Sequence, residues 1–379
     1  MKDNLITNKF IVEGLPEKFS PSKGPNLFPN YLTDELTRRG LKIKRLVLDE
    51  ALFTIADENR FNPVEDMLLS ATWDGEDRIK ILCEILGITD EPHSMSILSK
   101  WLHQTVAMAL NDEADPYGAD GVLVLQGDQG TGKTMFCRKL AMRKDWFAEG
   151  TCLDPSNKDS IIAATSVWIN ELGELDSTFK KDQSMLKAFI TRGVDTYRMP
   201  YAREAVSRAR RTSFCGTVNP EEFLIDDTGS RRYWVIKPKN LDLARLKGLD
   251  EEFYKKLWRQ VYETLYLPNP HGFHLDAEEQ KALAAENEMF SKKLPGEVEM
   301  IDKFRWDAPM KAWTWNSATD IKEQMHLYSL SSIQIGKVLT KLCRMDKRIE
   351  MKEVSHKKLY HVPPVRAWGM NDTEPLYGV

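Results

Sequence analysis

Residues 121–134 constrain this chain more than any other stretch. They read Gly-Val-Leu-Val-Leu-Gln followed by Gly127-Asp128-Gln129-Gly130-Thr131-Gly132-Lys133-Thr134. A short continuous apolar run predicts a strand buried on both faces. The eight residues after it satisfy the phosphate-binding pattern GxxxxGK[ST] at every position, and Met135–Met142 predicts an amphipathic helix. In a strand, glycine-rich loop and helix of this order, backbone N–H groups can turn inward around phosphates, and the positive end of the helix dipole faces the anion. Lys133 supplies a point charge for the β and γ phosphates of a nucleotide, and the Thr134 hydroxyl can coordinate Mg2+. A glycine turn matching the pattern by accident would lack these flanks.

Further buried strands are predicted at Val167–Asn170, Ser213–Val218 and Tyr233–Ile236, with helical stretches between them. Such alternation implies an α/β fold with a mostly parallel sheet, here a P-loop core over residues 112–265. Before it, Pro16, Pro21, Gly24, Pro25 and Pro29 suggest an irregular leader over residues 1–30. Residues 31–111 read as a helical N-terminal domain. Its stripes are Leu46, Leu48, Leu52, Ile55 and Ala56, then Ile79, Leu82, Ile85 and Leu86. Residues 266–296 read as a linker and a helix, Asp276–Lys292, with Asp276 as its cap. The remainder, residues 297–379, reads as a small winged-helix-like module: an amphipathic Ser332–Cys343, then strands Arg348–Val354 and Lys358–Val362.

A phosphate-binding loop needs an acidic partner at the end of a neighbouring strand. Val167-Trp-Ile-Asn170-Glu171-Leu-Gly-Glu174 offers Glu171 and Glu174, with Asn170 standing where many such enzymes carry aspartate. Either carboxylate could polarise water or hold Mg2+; the blander readings are a solvated strand end and a helix start. Asn219 closes the apolar run Ser213–Val218 and could sense a γ-phosphate, although Asn-Pro also starts ordinary turns. Arg231 and Arg232 follow a glycine turn and could project toward a phosphate at a subunit boundary.

The formal net charge is −4, so nucleic-acid binding has to come from local patches. Lys187–Arg211 carries a local excess of five positive charges, interleaved with Tyr197 and Tyr201, which suits backbone tracking and base stacking on single strands. Lys337–Lys358 carries an equal excess. Charge runs are often just solvated faces, and that reading weighs more for the second run than for the first. The five cysteines are odd in number and never paired as CxxC, which argues for a reducing compartment. With neither a signal-peptide pattern nor a membrane-length apolar run, the expectation is a cytoplasmic protein with no membrane partner.

The loop, acidic strand, basic segment, asparagine-ended strand and paired arginines together resemble superfamily 3 helicases. These are hexameric ring motors of viruses and plasmids built on an AAA+ core. More narrowly, the chain is similar to the virulence-associated E family of phages and bacterial genomic islands. The carriers, over about residues 50–265, are Phe61-Asn-Pro63, Trp73-Asp-Gly-Glu-Asp-Arg78, the GDQGTGKT loop, Glu171-Leu-Gly-Glu174, Asp195-Thr-Tyr-Arg198-Met-Pro-Tyr201, Gly216-Thr-Val-Asn219 and Asp227-Thr-Gly-Ser-Arg-Arg232.

The resemblance implies ATP and Mg2+ as cofactors, with Gly127 to Thr134 as nucleotide ligands and Thr134 and Glu171 on the metal. It makes Glu171 or Glu174 the catalytic carboxylate, Asn219 the sensor and Arg231 or Arg232 a finger acting on a neighbouring subunit. A DNA-contacting hairpin would span Arg198–Arg208, with Arg198, Tyr201, Arg203 and Arg208 its candidate contacts. The implied function is a DNA helicase of a phage or mobile element, working in the bacterial cytoplasm as a ring on single-stranded or forked DNA. Relatives often carry a primase domain, so primer synthesis would here fall to a separate protein. Two other readings stand beside it: an AAA+ loader or switch ATPase, and a nucleotide-gated origin-binding protein without motor activity.

Overall fold

In the computed structural model, the described residues are 1–14, 24–173, 188–197, 205–219, 223–224, 230–291, 293–354 and 356–366. They divide into two units, Met1–Phe290 and Ser291–Val379.

The first unit opens with β1 (Lys2–Asn4) and β2 (Lys9–Ile11), an antiparallel pair that β3 (Arg60–Phe61) joins in parallel to β1. The helices α1 (Gly24–Arg38), α2 (Arg45–Glu58), α3 (Pro63–Ser70), α4 (Arg78–Leu86) and α5 (Pro92–Ala109) surround and follow β3. The expected irregular leader therefore contains a strand pair and the start of a helix that accommodates Pro29. Residues 31–111 do not stand apart as a domain: Leu68, Leu82, Ile85, Leu98 and Trp101 share one buried cluster with Leu123, Phe136 and Trp258. In α2, Leu48, Leu52 and Ala56 are buried, while Leu46 and Ile55 of the expected stripe face solvent.

Two of the sequence marks have local structural roles. Asn62 caps α3 through the backbone N–H groups of Val64 and Glu65, and its amide donates to Ala109 O at 2.8 Å. Pro63 sits at the first helical position, where its missing N–H costs nothing. Asp77 caps α4, and Arg78, 5 % exposed, donates to both Asp74 oxygens at 2.5 and 2.8 Å.

The core sheet is built from β4 (Val122–Gln126), β5 (Phe147–Thr151), β6 (Ile169–Leu172), β9 (Ser213–Val218) and β10 (Tyr233–Ile236). Its order is β10-β4-β9-β6-β5, with every pairing parallel. β4 is buried along its whole length, as its unbroken apolar run requires. Its start is fixed by Gln104, whose Oε1 accepts from Gly121 N and whose Nε2 donates to Gly121 O. The helices α6 (Lys133–Ala141) and α7 (Lys158–Ala164) complete the crossovers. The acidic strand begins two residues later than expected and takes Glu171 inside the sheet. β5 is an edge strand that sequence reading missed, because Phe-Ala-Glu-Gly-Thr has neither an apolar run nor a clean alternation.

A separate hairpin, β7 (Val194–Tyr197) and β8 (Val206–Ala209), carries the basic segment. Arg210, at its base, is fully buried and donates to Asp195 through Nε at 2.7 Å and Nη2 at 2.5 Å. Its guanidinium lies 4.0 Å from the Phe189 ring centroid. A helix follows the core at Ala277–Met289, capped by Asp276 with a reciprocal capping box to Glu279.

The second unit runs helix Glu297–Lys303, strand Thr314–Ser317, helix Ala318–Gln324, helix Ser332–Met345, and strands Glu350–Val354 and Lys357–Val362. The last strand lies between the other two, and both pairings are antiparallel. This is the winged-helix arrangement expected from the sequence. No described helix is long and apolar enough to cross a membrane.

Truncating Asp195 would leave the Arg210 charge buried and unpaired. Asp195→Ala should therefore lower unfolding free energy by about 3–5 kcal/mol in urea titrations. A double Asp195→Leu/Arg210→Met replacement should recover most of that loss, because breaking a buried pair costs more than replacing it with apolar groups.

Candidate nucleotide site

Ligands of open parallel sheets sit beyond the carboxyl ends of the strands, and three elements meet there. The loop after β4 turns through Gly130 at φ 82° and Gly132 at φ 96°, in the left-handed region. A Cβ on Gly132 would be strained at this φ and would fall 2.1 Å from a Leu243 methyl, which would have to shift. Lys133 is 6 % exposed. Its Nζ donates to Gly127 O and Asp128 O at 2.7 Å each and to Asn219 Oδ1 at 3.2 Å. Burial pulls its pKa below the ordinary lysine value.

β9 lies between the loop strand and the acidic strand, which brings its end to both. Glu171 pairs in register with Cys215, and its Oε1 accepts from the Thr217 hydroxyl at 2.9 Å and the Thr134 hydroxyl at 2.8 Å. Burial raises the Glu171 pKa. The two hydroxyls oppose that shift, the Glu149 charge adds to it and the Arg138 charge subtracts from it. Arg138 and Glu149 form an ion pair of their own, from α6 to the irregular stretch of β5.

Asn170 is buried and donates to Ala164 O at 2.7 Å. Successive strand side chains point to opposite faces, so Asn170 cannot share the face on which Glu171 meets Thr134. Its replacement of the usual aspartate therefore leaves the contacts at Glu171 unchanged. Glu174 lies outside the described residues, as do Arg198, Tyr201 and Arg203.

Arg208 requires a correction. It is 4 % exposed and ion-paired with the fully buried Asp3 of β1. It fastens the hairpin to the N-terminal strand and is not available to DNA. Arg210 is likewise internal, and Arg211 is 9 % exposed near Glu113. Much of the charge excess read from this segment is thus structural.

Arg231 is exposed and Arg232 half-buried, on a short turn at Ser230–Arg232 that enters β10. Tyr233 pairs with Val122, the first residue of β4, whereas the phosphate-binding loop leaves β4 after Gln126 at the opposite end. At about 3.3 Å per residue, the paired arginines lie a full strand length from their own loop.

A cleft of about 400 Å3 adjoins the loop, lined by Asp128, Thr131, Lys237, Pro238, Asn240 and Leu243 among others. Lys239 in the same wall is held by Asp90 at 2.7 Å and Glu91 at 3.1 Å. Sequence reading missed this wall, since no motif marks it. It also gave no role to Thr217, which lies in the Gly216-Thr-Val-Asn219 run two residues before Asn219.

Loop, sheet order and convergent strand ends define a P-loop α/β protein. The profile of the virulence-associated protein E-like domain matches residues 68–292, and the chain belongs to that family. Among solved structures it is similar to the apo A form of the NrS-1 C-terminal region, at 15% identity, a TM-score of 0.38 and 78% coverage of each chain. It is also similar to that region described as residues 305–718, at 16% identity, a TM-score of 0.40 and the same coverage. At these scores neither likeness bears on function. No curated protein matches.

If the site turns over nucleotide, kcat/KM should be bell-shaped in pH, because the acid limb reports a raised Glu171 and the alkaline limb a lowered Lys133. Thr217→Val removes a hydroxyl that favours the ionised carboxylate. It should move the acid limb to higher pH and lower kcat about tenfold or more, as expected for a hydrogen bond to a charged group. Thr217→Ser should restore both, and an unmoved acid limb in the valine variant would remove Thr217 from the site.

Proposed function

We propose that this protein is an ATP-hydrolysing motor that acts on DNA in the replication of a phage or mobile element, as a ring of identical subunits. One observation carries the reading. A complete phosphate-binding loop is in hydrogen-bond contact with an acidic strand end through Thr134–Glu171 and with a polar strand end through Lys133–Asn219. ATP would place its phosphates on the loop backbone and Lys133, with the nucleoside toward the cleft at Lys237–Leu243. Thr134 and Glu171 suit Mg2+, being hard oxygen donors 2.8 Å apart on one face. When bound, that ion neutralises charge on the β and γ phosphates. Glu171, desolvated and steered by Thr217, is the group to orient and deprotonate attacking water. Asn219, which accepts from Lys133 at 3.2 Å, would register the γ-phosphate through it.

Lys133→Ala should abolish ATP hydrolysis without unfolding the chain, since Lys133 is the motif's only side-chain cation and charge stabilisation dominates phosphoryl transfer. Near-normal turnover by the folded variant would overturn the nucleotide assignment.

The separation of Arg231 and Arg232 from their own loop supports action on a neighbour's nucleotide, and head-to-tail contacts of that kind close into rings. Arg231, the exposed one, is the better finger, and Arg232 the better structural residue. Mixing Lys133→Ala with Arg231→Ala should regenerate some intact shared sites and part of the ATPase activity. No recovery in mixtures shown by mass to co-assemble would defeat the trans arrangement.

A loader or switch reading gains support from the internal placement of Arg208, Arg210 and Arg211, which leaves fewer cations on the hairpin for tracking a strand. Strand displacement on a forked substrate separates the two: DNA-stimulated hydrolysis without unwinding identifies the switch.

A further inference from the structure

We infer that the second unit is a duplex-DNA binding module, with helix Ser332–Met345 as the groove-reading element and the hairpin of strands Glu350–Val354 and Lys357–Val362 as a backbone-gripping wing. The inference is independent of the ATPase reading.

The helix is built to present one face. Ile335, Val338, Leu339 and Leu342 are buried in the unit's core. Lys341, 4 % exposed, pairs with Glu297 at 2.8 Å and clamps the helix to Glu297–Lys303. A reciprocal cap from Ser331 to Gln334 fixes its N-terminus. On the opposite side Ile333 is 74 % exposed, and Lys337 stands one turn further along the same exposed face. An isoleucine so exposed in the first turn is unexplained by packing. In a helix-turn-helix, first-turn residues of the second helix meet base edges, where an apolar side chain suits a thymine methyl. The preceding helix, Ala318–Gln324, and the turn carrying Tyr328, 68 % exposed, supply the rest of that motif.

The hairpin carries exposed cations of its own, with Lys352 on the sheet face opposite Tyr360, which contacts the helix at Gly336. Every residue of Glu350–Val354 is exposed, and so are Lys357 and Lys358. Lys352 is seated 3.9 Å over the Trp315 ring, which preorganises the strand face. Lys337, Lys347, Lys352, Lys357 and Lys358 outnumber the exposed Glu350 and Glu353. A positive, two-pronged surface in a chain of net charge −4 is complementary to a polyanion. The helix width fits a B-form major groove, which makes duplex DNA the occupant.

The test uses the full-length protein and a fluorescent 30-base-pair duplex, with anisotropy titrations at several salt concentrations. Lys337→Gln/Lys357→Gln/Lys358→Gln should weaken duplex binding at least about tenfold and flatten the log K against log salt slope by about two to three units. The corresponding triple arginine variant should bind like the parent, which separates lost charge from lost folding. The titrations are run without nucleotide, so failure of the ATPase reading would not register here. Unchanged duplex affinity in the glutamine variant overturns the inference, and so does an equal loss on duplex and single strand.

Discussion

The insertion of β9 between the loop strand and the acidic strand is the constraint from which the site follows. Because β9 lies between them, β4 and β6 are two strand spacings apart, about 9.6 Å. That gap is spanned by side chains from α6 and from β9 itself. Thr134 crosses from the helix, Thr217 from the intervening strand, and Asn219 emerges where Lys133 ends. A sheet that paired β4 directly with β6 would bring the carboxylate against the loop and leave Asn219 no place between them. The parallel register thus constrains the site as well as the packing, and burial of β4, β6 and β9 makes that register hard to slip.

The same burial sets the electrostatics. Glu171 is desolvated, yet two hydroxyls converge on one of its oxygens, so the ionised form is held against the low dielectric by specific donors. A metal ion held at Thr134 would compete for that hydroxyl and leave Thr217 as the steadier donor. A neutral threonine two residues before Asn219 thus belongs to the site, although no charge marks it in the sequence.

Much of this was legible beforehand. An uninterrupted apolar strand before a complete glycine-rich loop admits few folds, and the parallel sheet, the P-loop helix and the winged-helix unit all follow from local pattern. What was hidden depended on partners distant in sequence. Arg208, Arg210 and Arg211 look like a basic arm until Asp3, Asp195 and Glu113 are brought beside them. The pairing of Asp3 with Arg208 crosses most of the first unit, and no periodicity reports it. β5 escaped because an edge strand needs only one apolar face and this one bends at Glu149–Gly150. The acidic strand was placed two residues early, so that Glu171, expected just beyond its end, lies inside it.

The internal arginines also change how the hairpin must work. Buried ion pairs add little net stability but strongly penalise alternative arrangements, since any displacement exposes an unpaired charge to an apolar interior. Asp195–Arg210 closes the base of the hairpin across its own two strands, and Asp3–Arg208 holds it to β1. A hairpin closed at its base and fastened to β1 resists local swinging, so its movement is coupled to that strand. In a ring, such rigidity would convert a nucleotide-dependent rotation of the core directly into displacement of the hairpin. Arg208, lost as a candidate DNA contact, becomes the anchor through which the N-terminal strand holds the hairpin.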